Sequence, residues 1–440
     1  MRSKGLGLLY FLIGLGMATK VNIIGFVGIS QIFFFLAAPI LYMRNYGAMK
    51  RDGFHTLTNL SLVAFVGCLV SSLYNHTQFA LMARGLALCY TWFSSIVVFY
   101  YLIKRDASGL KWLFVGLALS QIITIWGFRT GVETSAMLAN GEEVIKDRES
   151  WFMVHFGGMF TLPLYAFFMH TPIALSWGIC CFPAVWTMVR TSSGRSAVLT
   201  LIVTSVLILF VGRSPLRMRK LKQKFVLIMI VTLSCGLAFA SLYKYLGSHG
   251  LLNEKANDKY QIQMAKKKSG VLGSLMAGRS EFFVGTFAAL ENPIFGCGPW
   301  PLDKKGYYQD FLVKYGNAED IDRYFKYIEW RNQFGEAYSL IPTHSGIVCG
   351  WIYNGILGLP YYIYLFWLMF TVLRKHLDAV PQWFGYFAFI IPGELWNIFF
   401  SPPGNDISPL MAMLLYALAI GRRKLQLPRK MQVEAMKHVK

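Results

Sequence analysis

An all-α, polytopic membrane protein with about twelve transmembrane helices is the fold class this chain predicts, and three observations carry the prediction. The 440 residues are 55% hydrophobic and only 15% charged, where soluble domains carry about 25% charge. Long stretches, such as "GLALCYTWFSSIVVFYYLI" (85–103) and "SAVLTLIVTSVLILFVG" (196–212), contain no Asp, Glu, Lys or Arg. The remaining basic residues collect in alternate connections between apolar stretches, the pattern that fixes orientation in a bilayer.

Taken in chain order, the apolar spans fall at 5–19, 22–43, 57–73, 80–103, 111–128, 151–169, 172–189, 196–212, 225–243, 347–373, 382–400 and 405–420. The N-terminal "MRSKGLGLLYFLIGLGMATK" has the charge and length of a signal peptide, but a second span follows at once and no clear cleavage motif is present, so it reads as the first span. Backbone in lipid must satisfy its hydrogen bonds internally, so the spans are expected to be helices. A transmembrane barrel would need alternating strands, and this sequence does not alternate.

The formal charge of +21 has a membrane explanation rather than a nucleic-acid one. Arg44, Lys50 and Arg51 lie in one connection, Lys104, Arg105 and Lys111 in another, and Arg213, Arg217, Arg219, Lys220, Lys222 and Lys224 in a third. Arg374 and Lys375 follow, then the basic tail 421–440. The intervening "SSLYNHTQ" (71–78) and "SPPGND" (401–406) contain no basic residue except His76. Positive charge stays inside, so both termini are expected on the cytoplasmic side. Cys68, Cys89, Cys180, Cys181, Cys235, Cys297 and Cys349 show no metal-ligand spacing and imply no disulfide framework.

The organisation that results is spans one to nine over 1–243, a large outer loop over 244–346, spans ten to twelve over 347–420, and the tail. Residues 129–150 form a second outer segment. The large loop is too rich in apolar and aromatic positions for a linker. Arg279 to Leu290 places Phe282, Phe283, Phe287 and Leu290 at helical spacings, predicting a helix on the membrane surface or capping the bundle, closed by the breakers of "ENPIFGCGPW". Residues 319–334 predict a second amphipathic helix.

Three ionisable residues gather on the outer side: Arg195 in the turn before span eight, Arg279 in the loop, and His344 in "PTHSG" at the mouth of span ten. Each also has a plainer reading. An arginine at a span edge can snorkel to headgroups, Arg279 can pair with Glu281, and an interfacial histidine can be a hydrogen-bonded structural group. Taken together they suit a lipid diphosphate. Guanidinium forks match phosphate oxygens, and a neutral imidazole accepts a proton near neutral pH. No carboxylate triplet, Cys/His cluster, Walker motif or dinucleotide loop proposes a metal or cofactor.

At these residues the chain resembles the O-antigen ligase and polymerase family of bacterial envelope proteins. "RTSSGRSAVLTLIV" resembles the family's arginine segment opening a span and carries that arginine onto Arg195. "GRSEFFVGTFAALENPIFGCG" resembles its periplasmic "GR … NPxxGxG" segment and carries a second arginine onto Arg279. "THSGIVCGWIYNGILG" resembles its "HNxxL … GxxG" segment and carries the histidine onto His344, with Ser345 where the family often has Asn. The resemblance implies a C-type membrane glycosyltransferase (GT-C-like) of the inner membrane with its site facing the periplasm. It implies an undecaprenyl-diphosphate-linked glycan donor, metal-independent inverting transfer, and no cofactor. A ligase would pass the glycan to a lipid A–core oligosaccharide, and a polymerase to another lipid-linked repeat unit. The rival from another class is a transporter, whose expected mark is charged or broken helices at mid-membrane.

Overall fold

The computed structural model describes residues 2–18, 20–22, 26–126, 245–251, 280–315, 340–341, 345–376 and 384–400, with isolated positions elsewhere, Thr343 among them. These residues are mostly helical. Five helices come first: α1 (Arg2–Ala18), α2 (Ile29–Arg51), α3 (His55–Tyr74), α4 (Phe79–Arg105) and α5 (Leu110–Trp126). Of these, α2, α3 and α4 are long and apolar enough to cross a membrane.

One boundary differs from the sequence expectation. The second span begins at Ile29, not at residue 22, and continues through Arg51. Between α1 and α2 the chain forms a small antiparallel hairpin, β1 (Lys20–Asn22) against β2 (Phe26–Gly28), with Val21 opposite Val27. Helix α2 starts where the Gln31 side chain accepts from the Gly28 N–H at 2.9 Å, a local cap that hydropathy cannot register.

Helices α1 and α5 run parallel in close contact, with Gly14 against Leu113 and Leu117 and Gly116 against Phe11 and Leu15. Small residues at such crossings let backbones approach, as in membrane helix pairs. Helix α4 is the centre of the bundle, burying Trp92, Ile96 and Phe99. Phe99 meets Phe34 of α2 edge-on with centroids 5.4 Å apart, and the Tyr90 hydroxyl donates to Phe35 O at 3.1 Å.

The bundle has two distinct ends. At one, α2 turns into α3 at Asp52–Phe54 and α4 into α5 at Asp106–Gly109, which brings Lys50, Arg51, Lys104, Arg105 and Lys111 to the same end. The Tyr100 hydroxyl donates to Asp52 Oδ2 at 2.6 Å, and the Tyr10 hydroxyl to Asp106 O at 3.0 Å. The opposite end carries the α3–α4 turn at Asn75–Gln78.

Further helices follow: α6 (Ser280–Glu291), α7 (Tyr307–Tyr315), α8 (Gly346–Asn354), α9 (Leu359–Thr371) and α10 (Phe384–Phe400). The span expected at 347–373 is therefore not one helix. Gly355–Gly358 makes a 3₁₀ turn between α8 and α9, and Val372–His376 ends α9 as a π-turn. The break has a local cause, since Gly355 sits at φ +61°, outside the helical region. Helix α9 returns to the bundle through Tyr361, which stacks on Trp92 at 4.5 Å and 4° between planes. The spans expected at 151–169, 172–189, 196–212, 225–243 and 405–420, the 129–150 segment and the 319–334 helix lie outside the described residues, apart from isolated positions.

Candidate functional site

Arg195, Arg279 and His344 all lie outside the described residues. The chain that directly follows two of them is described. Helix α6 begins at Ser280, the residue after Arg279, and α8 is capped by Ser345, the residue after His344.

These helices pack against each other. Ala288 and Ala289 of α6 share one buried cluster with Val348, Cys349, Ile352 and Tyr353 of α8 and with Ile341. The buried face of α6 is thus its small side. Phe287 and Leu290, which share the helical spacing of Phe282 and Phe283, stand exposed. Spacing correctly identified a helix here, and its close packing on α8 is made through small residues that let the helices approach.

The starts of both helices meet the C-terminal end of α10. Phe282, in the first turn of α6, contacts Phe400 with centroids 5.7 Å apart. The Ser345 hydroxyl donates to Ile398 O at 3.3 Å. The same hydroxyl accepts from Val348 N–H at 3.3 Å, a helix N-cap. Ser345 is fully buried, at once a cap and a strut between α8 and α10. Beside it, Thr343 Oγ1 lies 3.4 Å from the Tyr353 hydroxyl, and the Tyr353 ring packs on Trp300 with centroids 5.1 Å apart.

The turn "NPIFGCG" locks α6 onto the helix break. Cys297 N–H donates to Ile352 O at 2.7 Å, and Ile356 N–H donates to Ile294 O at 3.1 Å. Trp351 Nε1 donates to Pro293 O at 2.9 Å. Gly296 at φ +71° and Gly355 at φ +61° sit where the two backbones touch, and a Cβ on Gly355 would collide with Ile294 O. The same turn is pinned to the α3–α4 end: Asn75 Nδ2 donates to Gly296 O at 3.2 Å, and Gly298 N–H to Ser71 Oγ at 3.0 Å. The loose glycine pattern noted in the sequence is thus a backbone-to-backbone joint between the two segments.

Other residues that shape this region carried no signal in the sequence reading. Asp303 is buried and accepts from Tyr307 N–H and Tyr308 N–H at 2.9 and 2.8 Å, capping α7. An aspartate a few residues ahead of an apolar-aromatic run is the mark that would have found it. Glu291 binds Lys305 Nζ and accepts from the Tyr307 hydroxyl, each at 2.5 Å. The Lys305 bond holds the Glu291 carboxyl below its ordinary value and raises Lys305, while burial and then Glu291 push Tyr307 up to about 12. Burial also raises the Cys297 thiol, so it is a poor nucleophile.

Among the described residues no His/Cys/Asp/Glu group could hold a metal ion. Chemically, the region presents two helix N-termini that both contact the end of α10, each the positive end of a helix dipole. No known family model and no characterised protein matches the chain.

Proposed function

We propose that the chain is an O-antigen ligase. In this reading it transfers a glycan from undecaprenyl diphosphate to a lipid A–core oligosaccharide, on the periplasmic side of the bacterial inner membrane. The observation that carries it is the joint between α6 and α8. The two segments that resemble the family's arginine and histidine motifs pack as one unit, with both helix starts drawn to Ile398–Phe400. The family's order of motifs supplies the roles.

Arg195 and Arg279 hold the donor diphosphate and neutralise it as it leaves. The acceptor hydroxyl oxygen attacks the anomeric carbon from the face opposite the diphosphate. The new C–O bond forms as the bond to the diphosphate oxygen breaks, inverting the centre. His344 takes the hydroxyl proton, which an imidazole of reference pKa ~6.5 can do at neutral pH. The broken span between α8 and α9 would also suit a transporter. However, residues 346–371 contain no charged side chain, and the bond from Ile356 N–H to Ile294 O covers backbone at the break.

The test is reconstitution in vesicles with the lipid-linked donor and two acceptors, a lipid A–core oligosaccharide and a second lipid-linked repeat. Glycan on the lipid A–core is the expected product. An extended lipid-linked glycan would make the chain a polymerase, and movement of labelled donor without transfer would make it a transporter. With transfer established, His344→Gln should lower the single-turnover rate by ~100- to 10000-fold with donor binding intact. Arg195→Ala and Arg279→Ala should each cost about ten- to a hundredfold, with lysine restoring only part. A near-wild-type rate for His344→Gln would remove it as the base.

A further inference from the structure

We propose that the Pro293–Phe295 turn is a lipid anchor, seated in the membrane interface with the Ile294 and Phe295 side chains among acyl chains. The inference rests on α3 crossing the membrane, which its length and apolar character support.

Val63, Val66, Val70 and Leu73 form an exposed stripe along α3 at spacings of three and four residues, the face a spanning helix turns to lipid. At the top of the stripe the Tyr74 ring stacks on Phe295 with centroids 4.4 Å apart and planes 21° apart. Ile294 follows, 62% exposed. The turn thus extends the lipid-facing stripe without a polar interruption.

Its depth is also fixed. Ile294 O is bonded to Ile356 N–H, and a Cβ on Gly355 would collide with Ile294 O. The neighbouring Asn354 O lies 2.6 Å from where a Cβ on Gly67 would sit. Gly67 is about 10 Å short of Tyr74 along α3, at ~1.5 Å per residue. The helix break that holds the turn is therefore sunk below the end of α3. Ile356 and Leu357 at the break are exposed and apolar as well.

The polar groups match an interfacial seat. Trp351 donates its indole N–H to Pro293 O, and Tyr74 flanks the turn, the two residue types enriched at headgroup depth. On α6, Phe287 and Leu290 lead into the turn on the exposed face. The adjacent Glu291 charge is matched by Lys305. Lipid contact would fix α6 at the bilayer surface, and with it the chain leaving Arg279.

The test places photoreactive benzoylphenylalanine singly at Ile294, Val66 or Lys304 in the full chain, reconstituted in phosphatidylethanolamine–phosphatidylglycerol vesicles. Lipid adducts are counted by mass spectrometry after irradiation. Ile294 should match Val66 and exceed exposed Lys304 by about tenfold or more, the partition that burial of one such side chain corresponds to. Leu290 serves as a second position should the Ile294 variant fail to fold, with the same expectation. Lipid adducts at Val66 but not at Ile294 or Leu290 would overturn the anchor alone. None at Val66 either would overturn the membrane-spanning reading of α3 with it. Crosslinks from Ile294 to protein instead of lipid would make the turn a protein contact and also defeat the proposal.

Discussion

The two ends of the bundle are held in opposite ways. At the basic end, each connection is closed by a side chain of the bundle's first five helices, Tyr100 on Asp52 and Tyr10 on Asp106 O. At the other end, the α3–α4 turn is held by a segment far away in the chain, through Asn75 on Gly296 O and Gly298 N–H on Ser71. That segment is in turn bonded backbone to backbone with the helix break, Cys297 N–H to Ile352 O and Ile356 N–H to Ile294 O, and this joint depends on glycines. The basic end is held entirely within the first five helices, by tyrosine hydroxyls on the two turns. The other is a single long-range assembly that also carries the two helix starts argued to matter for chemistry. Damage should therefore stay local at the first and spread at the second.

The largest effect should come from Gly355→Ala. A methyl there collides with Ile294 O at a φ that disfavours L-residues, so the joint must open. A loss above about 3 kcal/mol is expected, seen as loss of a monodisperse species in detergent. A thermal midpoint near wild type would show that the joint is not what holds α6 to α8.

Ser345→Ala comes next. It removes the cap on Val348 N–H and the bond to Ile398 O together. About 1–2 kcal/mol of stability should go. Transfer should fall more than stability explains if α8 sets the position of His344. Equal transfer per folded molecule would reduce Ser345 to a cap.

Tyr100→Phe probes the basic end. Losing the bond to Asp52 should cost about 1 kcal/mol. Protease cleavage around Gly296 should not change. Faster cleavage there would erase the contrast between the ends.

Glu291→Gln should be the mildest, because the Glu291–Lys305 pair is exposed. The carboxyl is depressed below its ordinary value of 4.5, so its contribution is present above that value and is lost as pH falls through the lower, folded one. Lys305 is raised, so its share persists below its ordinary 10.5 and is lost as pH rises through the folded value. The midpoint difference between wild type and Glu291→Gln should be flat between these limits and shrink outside them. A difference that grew in acid would contradict the sign.

The same contrast explains what the sequence could reveal. Helices α3 and α4 fall within a few residues of the spans expected from hydropathy, because each apolar run and its basic flank are local. Helix α2 was displaced, since a Gly28–Gln31 cap and a short hairpin decide its start, and neither alters hydropathy. The tenth span read as continuous because Gly355 is tolerable in an apolar window, which shows neither its positive φ nor its contact with Ile294. Helix α6 was legible as a helix, but not its buried face, because spacing does not say whether Phe287 looks to protein or lipid. Asn75 and Ser71 gave no sign, since their partners lie beyond any local pattern. Arg195, Arg279 and His344 themselves lie outside the described residues, and of their surroundings only the helix starts beside Arg279 and His344, which meet α10, are described.

Leu302 and Leu340 pair in an antiparallel bridge, and Ile341 N–H donates to Pro301 O at 2.9 Å. The chain thus leaves and rejoins the joint at one place. Everything between is a closed excursion, and the entropy of closing a loop grows only with the logarithm of its length, about 0.6 kcal/mol per doubling. Insertions and deletions within it after Tyr315 leave the anchor points, and the bonds of Asp303, Lys305 and Tyr307, where they are. That is the stretch in which this protein can change size while the joint stays in register.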